Sequence, residues 1–252
     1  MLYLRNSIPM NNRIVIIPTY NEIENIESII HAVLRLEPTF DLLIVDDGSP
    51  DGTAQVVKTI QNENPNRIHL LERKGKLGLG TAYIAGFKIA LEKGYEYIFE
   101  MDADFSHNPN DLVKLYSACF HDNADMAIGS RYIKGLNVVN WPIGRVLMSY
   151  FAGFYVRFIT GMNIQDATAG FVCYHRRVLE TIPLNQIKFI GYAFQVEMKF
   201  TTWKYGFKLV EVPIIFTDRT KGESKMSANI FKEAIFGVIQ MKINSLFKRY
   251  QA

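Results

Sequence analysis

Cysteine, long apolar runs and net charge are all scarce in this sequence. Cysteine occurs only twice in 252 residues, at Cys119 and Cys173, each within an apolar segment. Far apart and without ligand partners at metal-binding spacing, both read as buried free thiols of a reducing compartment. No run reaches the roughly 18 apolar residues that a membrane-crossing helix needs. The closest approach, Trp141 to Met162, carries Arg145 and Arg157. Residues 1–12 lack the apolar core and small-residue cleavage site of a secretory signal. A formal net charge of +3 is too small to argue for nucleic acid, and no nucleic acid partner is expected. The nucleotide fingerprints are missing too. Gly75-Lys76-Leu77-Gly78-Leu79-Gly80 has its glycines in the wrong order for a dinucleotide loop and lacks the Walker pattern. It reads as a flexible loop leading into a helix.

What is present is an ordinary globular composition, 48% hydrophobic and 21% charged, sufficient for one large domain. Strands are expected at 13–18, 42–45, 68–71, 95–101 and 124–129, separated by helical patterns at 25–36, 51–61, 82–91 and 109–120. This alternation predicts an α/β fold, a mostly parallel sheet covered by helices on both faces. Ligands of such sheets bind beyond the carboxyl ends of the strands. The polar stretches PTYNE, VDDGSPDGT and MDADFSH all follow strand ends, so they should meet along one edge. Beyond residue 130, Thr168–His175 and Leu209–Phe216 look like further strands. Asp218–Ser227 reads as a polar basic loop, and Ala228–Arg249 as a closing amphipathic helix.

Asp102 and Asp104 stand one residue apart at a strand end, where like charges repel. A solvated surface pair is the bland alternative. The strand-end setting favours a divalent cation, Mg²⁺ or Mn²⁺, held by hard oxygen ligands and shared with a diphosphate. Asp46 and Asp47 open a turn-forming cluster. The turn accounts for Gly48, Pro50 and Gly52 but not for two adjacent acids, one of which can accept from a sugar hydroxyl or a base N–H. The cations Arg131, Arg145, Arg219, Lys221 and Lys225 suit phosphate oxygens, although the RTKGESK loop reads equally as a solvated turn.

PTYNE (18–22), VDDGSPDGT (45–53), GLGTAYIAGF (78–87), MDADFSHNP (101–109), GSRY (129–132), DATAGF (166–171), GYAFQVEM (191–198) and RTKGESKM (219–226) follow one another in a telling order. Together they resemble the family 2 glycosyltransferases of the GT-A fold, and most closely the dolichyl-phosphate (polyprenyl-phosphate) mannose synthases. The resemblance runs from about residue 13 to 227. It implies an N-terminal extension over 1–12, a GT-A catalytic domain over 13–227 and an amphipathic helix over 228–252. It implies a GDP-mannose donor, a polyprenyl phosphate acceptor and a Mg²⁺ or Mn²⁺ cofactor. By match, Pro18, Tyr20, Glu22 and Asp47 form the nucleoside pocket, with Asp102, Ala103 and Asp104 beside the diphosphate. Asp102 and Asp104 are the expected metal ligands. Ser106 stands where some relatives have Gln, so a water would complete the shell. Arg131, Arg145 and Ser149 are expected on the acceptor phosphate, and Arg219 and Lys225 on the loop that closes over the donor. Asp102, Asp104, Arg131 and Arg219 are thus the expected catalytic set. Some relatives carry transmembrane helices after this domain. This chain ends without them, which leaves room for a membrane-anchoring partner subunit.

The chemistry agrees with that assignment. A phosphate monoester carries about −1.5 to −2 charge at neutral pH, so the nucleophile needs no strong base. Single displacement at the anomeric carbon would invert configuration and give a β-linked product. UDP-glucose or a UDP-N-acetylhexosamine is the alternative donor, since no motif reads the sugar. A non-catalytic nucleotide-sugar-binding subunit would show a broken acid pair or basic loop, and both are intact. A metal-dependent phosphatase would need an acid pair at the first strand end, where PTYNE stands instead. A lipid acceptor implies peripheral association with the cytoplasmic face of a membrane. Trp141, Phe151, Phe154, Tyr155 and Phe158 could face lipid, as could Phe231, Ile235, Val238, Ile239, Leu246 and Phe247. Helices packed on the domain core are the alternative.

Overall fold

The structure, a computed structural model, describes residues 11–219 and 228–250. Strands β1 (Arg13–Thr19), β2 (Asp41–Asp46), β3 (Ile68–Glu72) and β4 (Tyr97–Glu100) are parallel neighbours in the order β3-β2-β1-β4. Helices α1 (Ile26–Leu34), α2 (Thr53–Glu63) and α3 (Leu79–Glu92) make the crossovers. Alternate side chains of β1 enter different cores. Ile14 and Ile16 pack with Tyr83 and Phe87 of α3, while Val15 and Ile17 pack with Ile29 and Ile30 of α1. Burial on both faces explains why these strands are continuous apolar runs.

Helix α4 (Asp111–Phe120) leads to β5 (Met126–Ser130), but β5 does not pair with β4. Strand β7 (Val172–His175) lies between them, antiparallel to both, with Ile98 opposite Tyr174 and Ala127 opposite Cys173. The strand expected over 168–175 therefore begins only at Val172. The residues before it are held in turns, because the Asp166 side chain is taken by Arg131. The strand expected over 209–216 divides. Strand β8 (Leu209–Pro213) completes the sheet beside β5 and ends at Pro213, which has no N–H to donate. Strand β9 (Phe216–Thr217) pairs with β6 (Val138–Val139) in a small second sheet.

The described residues hold four more α-helices, α5 (Ile143–Thr160), α6 (Arg176–Thr181), α7 (Tyr192–Lys204) and α8 (Ala228–Phe247), and a short 3-10 turn at Leu184–Gln186. Helix α8 is anchored to α5, with the Tyr155 hydroxyl donating to Ile235 O at 2.8 Å and Lys242 Nζ to Thr160 O at 3.0 Å. Val238 and Met241 are buried in the core, so Val238 faces protein and not lipid. The opposite side of the helix pair stays apolar and open: Phe158 is 77% exposed, Phe236 72% and Phe247 86%. Cys119 and Cys173 are both buried and free, as expected. Among the described residues, no helix is long and apolar enough to cross a membrane.

Candidate active site

The sheet order reverses between β1 and β4, and a cleft of about 680 Å³ opens beyond the ends of these strands. Pro18, Tyr20, Glu22 and Asp47 line one side of it, with Asp102, Ala103 and Asp104 on the floor. Arg131, Arg145 and Arg219 line it as well. One expected residue is not brought in. Ser149, on α5, is placed beside the Tyr132 hydroxyl and does not line the cleft. Lys221 and Lys225 lie outside the described residues.

The two adjacent acids after β2 have different jobs. Asp46 is fully buried and closes the turn, accepting from Ser49 N at 2.8 Å, Ser49 Oγ at 2.6 Å and Thr19 Oγ1 at 3.2 Å. Asp47 faces the cleft and is gripped by Arg73, with Nε and Nη2 both 2.6 Å from Oδ1. Gly48 makes this approach feasible. Its φ is +72°, and a Cβ there would stand 3.2 Å from Arg73 O. The glycine-rich loop enters α3 as expected and adds Lys76, whose ammonium lies 5.2 Å from the centre of the Tyr20 ring.

The acids of DADFSH occupy a tight turn in which Phe105 takes a left-handed φ of +59°, a strained choice for a non-glycine residue. Asp104 accepts from Ser106 N at 3.0 Å and pairs with Arg219 at 3.0 Å. Burial acts to raise the Asp104 pKa, but Ser106 and the Arg219 charge outweigh it and hold the carboxyl below its usual value. Asp102 goes the other way. Enclosure and then the Asp104 charge push it up to about 7, although 41% of its side chain remains accessible. A cation between the two would reverse that shift. The Ser106 hydroxyl is buried beside the Asp104 carboxylate. Two carboxylates and a buried hydroxyl form an all-oxygen donor set that fits Mg²⁺ or Mn²⁺. Among the described residues no group of three His, Cys, Asp or Glu side chains could hold a metal, so the remaining ligands would come from water or substrate. His107 Nδ1 accepts from Asp102 N at 3.3 Å, and burial pulls this ring down to about 4, so it stays neutral.

Across the cleft, Arg131 is nearly buried and forked onto Asp166, with Nε–Oδ2 at 2.7 Å and Nη2–Oδ1 at 2.6 Å. Arg145 pairs with Asp218 at 2.9 Å and lies 4.1 Å from the centre of the Trp141 ring. Trp141 therefore belongs to the cleft and not to a lipid-facing surface, and it also lies 5.4 Å from the Arg131 guanidinium. Sequence reasoning missed Arg73, Asp166 and Asp218 as partners. Only Asp166 carried a signal, by opening the DATAGF stretch.

The fold that this sheet order and cleft define is the GT-A fold. Residues 14–183 match the Glycosyl transferase family 2 domain, and the chain belongs to that family. The sequence is 45% identical to polyprenol monophosphomannose synthase of Mycolicibacterium smegmatis, over 96% of this chain and 91% of that protein. It is 46% identical to undecaprenyl-phosphate mannosyltransferase of Micrococcus luteus, over 89% of this chain and 91% of that one. The chain is accordingly an enzyme of the mannosyltransferase kind. The fold is shared with glucosyl-3-phosphoglycerate synthase from Mycobacterium tuberculosis, crystallised with Mn²⁺, UDP and glucosyl-3-phosphoglycerate. That match has a TM-score of 0.66 at 15% identity and covers 95% of this chain and 81% of that one. The mannosyltransferase PcManGT from Pyrobaculum calidifontis, in complex with GDP-Man and Mn²⁺, matches with a TM-score of 0.56 at 15% identity, over 94% and 74%.

Proposed function

We propose that this chain transfers mannose from GDP-mannose to a polyprenyl phosphate, with inversion, to give the β-linked polyprenyl-phosphate mannose. The observation that carries the reading is one cleft lined by acids on the floor and by Arg131 and Arg145 opposite, beside the exposed apolar face of α5. The names of the two close relatives support the same acceptor class.

Pro18, Tyr20, Glu22 and Asp47 hold the nucleoside, with Asp47 fixed by Arg73. Asp102, Asp104 and Ser106 would hold a divalent ion, which would supply positive charge to the leaving diphosphate. Arg219, paired with Asp104 at the cleft, would add positive charge beside the diphosphate. Arg131 and Arg145 hold the acceptor phosphate and offset the repulsion between two anions. The acceptor oxygen is already deprotonated, so the neutral, buried His107 is not needed as a base. The prenyl chain runs out over the exposed rings of α5 and α8, which seat the protein on the cytoplasmic face of a membrane.

The test is incubation of purified protein with GDP-mannose and a polyprenyl phosphate, with and without chelator, beside UDP-glucose as competing donor. Mannolipid should form only with GDP-mannose and only without chelator. Transfer from UDP-glucose alone would replace the donor, and an α anomeric proton in the NMR spectrum of the product would rule out single displacement.

A further inference from the structure

A buried polar relay lies beneath the cleft floor. Glu100, the last residue of β4, and Lys199, on α7, are both fully buried. Gln195, one turn before Lys199, joins them. Its Nε2 donates to Glu100 Oε2 at 2.5 Å, and its Oε1 accepts from Lys199 Nζ at 3.1 Å. Tyr174 Oη donates to the other Glu100 oxygen at 3.0 Å. Lys199 Nζ also donates to Gln195 O at 3.2 Å and to Ala169 O at 2.6 Å, so all three ammonium protons have acceptors.

Removing two charges from water is costly, and well-packed apolar side chains would serve stability as well or better. The location of the two ends gives the charges another use. Glu100 stands two residues before Asp102 on the same strand end. Ala169 belongs to the turn that starts at Asp166, and Asp166 holds both arms of the Arg131 guanidinium. Ala169 and Gln195 themselves line the cleft. The relay therefore spans from the strand end carrying the acids to the turn that holds the arginine.

We propose that Lys199, acting through Gln195 and Glu100, is a positioning residue that sets Arg131 at its distance from Asp102. It touches neither substrate. The proposal rests on the reading of Arg131 as an acceptor-phosphate group. A helix lysine bonded to the Ala169 carbonyl restrains a turn that has no ladder hydrogen bonds of its own at that point, and the rigid strand end is its reference. Misplacement of about 1 Å at such a remove is enough to lower function about 100-fold.

The experiment compares the wild-type chain with Lys199→Met and with the double variant Glu100→Gln/Lys199→Met. Calorimetry measures the affinity for citronellyl phosphate in the presence of GDP and Mn²⁺, and separately the affinity for GDP with Mn²⁺. Thermal unfolding is followed in parallel. Lys199→Met should weaken citronellyl phosphate about 10- to 100-fold, with GDP affinity unchanged and the melting temperature lowered. The double variant leaves no uncompensated charge, so it should regain melting temperature but not phosphate affinity. Unchanged phosphate affinity in Lys199→Met would overturn the proposal. So would equal weakening of both ligands, or phosphate affinity that returns together with the melting temperature. The readout is binding, so a wild-type chain that binds the phosphate but transfers no mannose would sink the activity reading alone. A wild-type chain with no affinity for the phosphate would sink both.

Discussion

On one side of the cleft stand carboxylates at the ends of β1, β2 and β4, carried by a parallel sheet buried on both faces. On the other stand Arg131 and Arg145, carried by turns and by α5. Neither set is bare. Asp47 has Arg73 and Asp104 has Arg219, while Arg131 has Asp166 and Arg145 has Asp218. The partners differ in depth. The Arg131–Asp166 pair is almost wholly buried, whereas the Arg145–Asp218 side chains are 32% and 27% exposed. The difference in depth sets what ligand binding would ask of each pair. Exchange of partners would be easy at the exposed pair and at Arg219, whereas Asp47 and Arg131 would meet a ligand while still held by Arg73 and Asp166.

The sharpest way to break this comparison is Asp104→Ala. Transfer should fall about 1,000-fold or more while circular dichroism and melting stay close to wild type. Full activity in that variant would contradict the ion assignment, as would chelator-resistant turnover of the wild-type chain. Next comes the contrast in depth. Asp166→Asn leaves the Arg131 charge buried without its counter-ion and should cost about 3–5 kcal/mol in urea unfolding. Asp218→Asn opens a half-exposed pair and should cost no more than about 1 kcal/mol. Equal losses would erase the distinction.

A smaller effect is expected on the outer surface. Phe158→Ser with Phe236→Ser removes two exposed rings, each worth about 1.5–3 kcal/mol on full burial in lipid. Flotation with liposomes should weaken and the melting temperature should hold. Unchanged flotation would reject this face as the docking surface. The smallest effect is a slope. Burial pushes Glu100 up to about 7, against the attraction of Lys199, so the native state keeps a proton that the unfolded chain releases near its ordinary value. The native state then binds more protons between about pH 4.5 and 7, and stability falls as pH rises through that window. Glu100→Gln should flatten the fall, as read by urea melts at about pH 5 and 8.

The strands and the edge where they end were legible because β-branched runs and their polar termini follow a simple period. The DADFSH acids were legible for the same reason. Direction was not legible. Nothing in the apolar pattern of Val172–His175 distinguishes an antiparallel insertion from another parallel strand. The adjacent acids Asp46 and Asp47 could not be told apart either, since their roles are set by Ser49 and Thr19 on one side and by Arg73 on the other. Trp141 was misplaced because an aromatic in an apolar stretch gives no sign that a guanidinium will stack on it. Lys199 looks in sequence like any solvated helix lysine, and only the packing of α7 onto the sheet shows its charge turned inward.

The reversed direction of β7 has one more consequence. The chain leaves the sheet after Ser130 and re-enters at Val172 beside the strand it left, at the same rim. Residues 131–171 thus form a segment attached to two neighbouring strands. Its two attachments fall on one strand pair, and Val156, Met162 and Ile164 pack it into the core. That segment carries Arg131, Trp141, Arg145, Thr168, Ala169 and Gly170 of the cleft lining, so one wall of the cleft hangs on a single pair of strands.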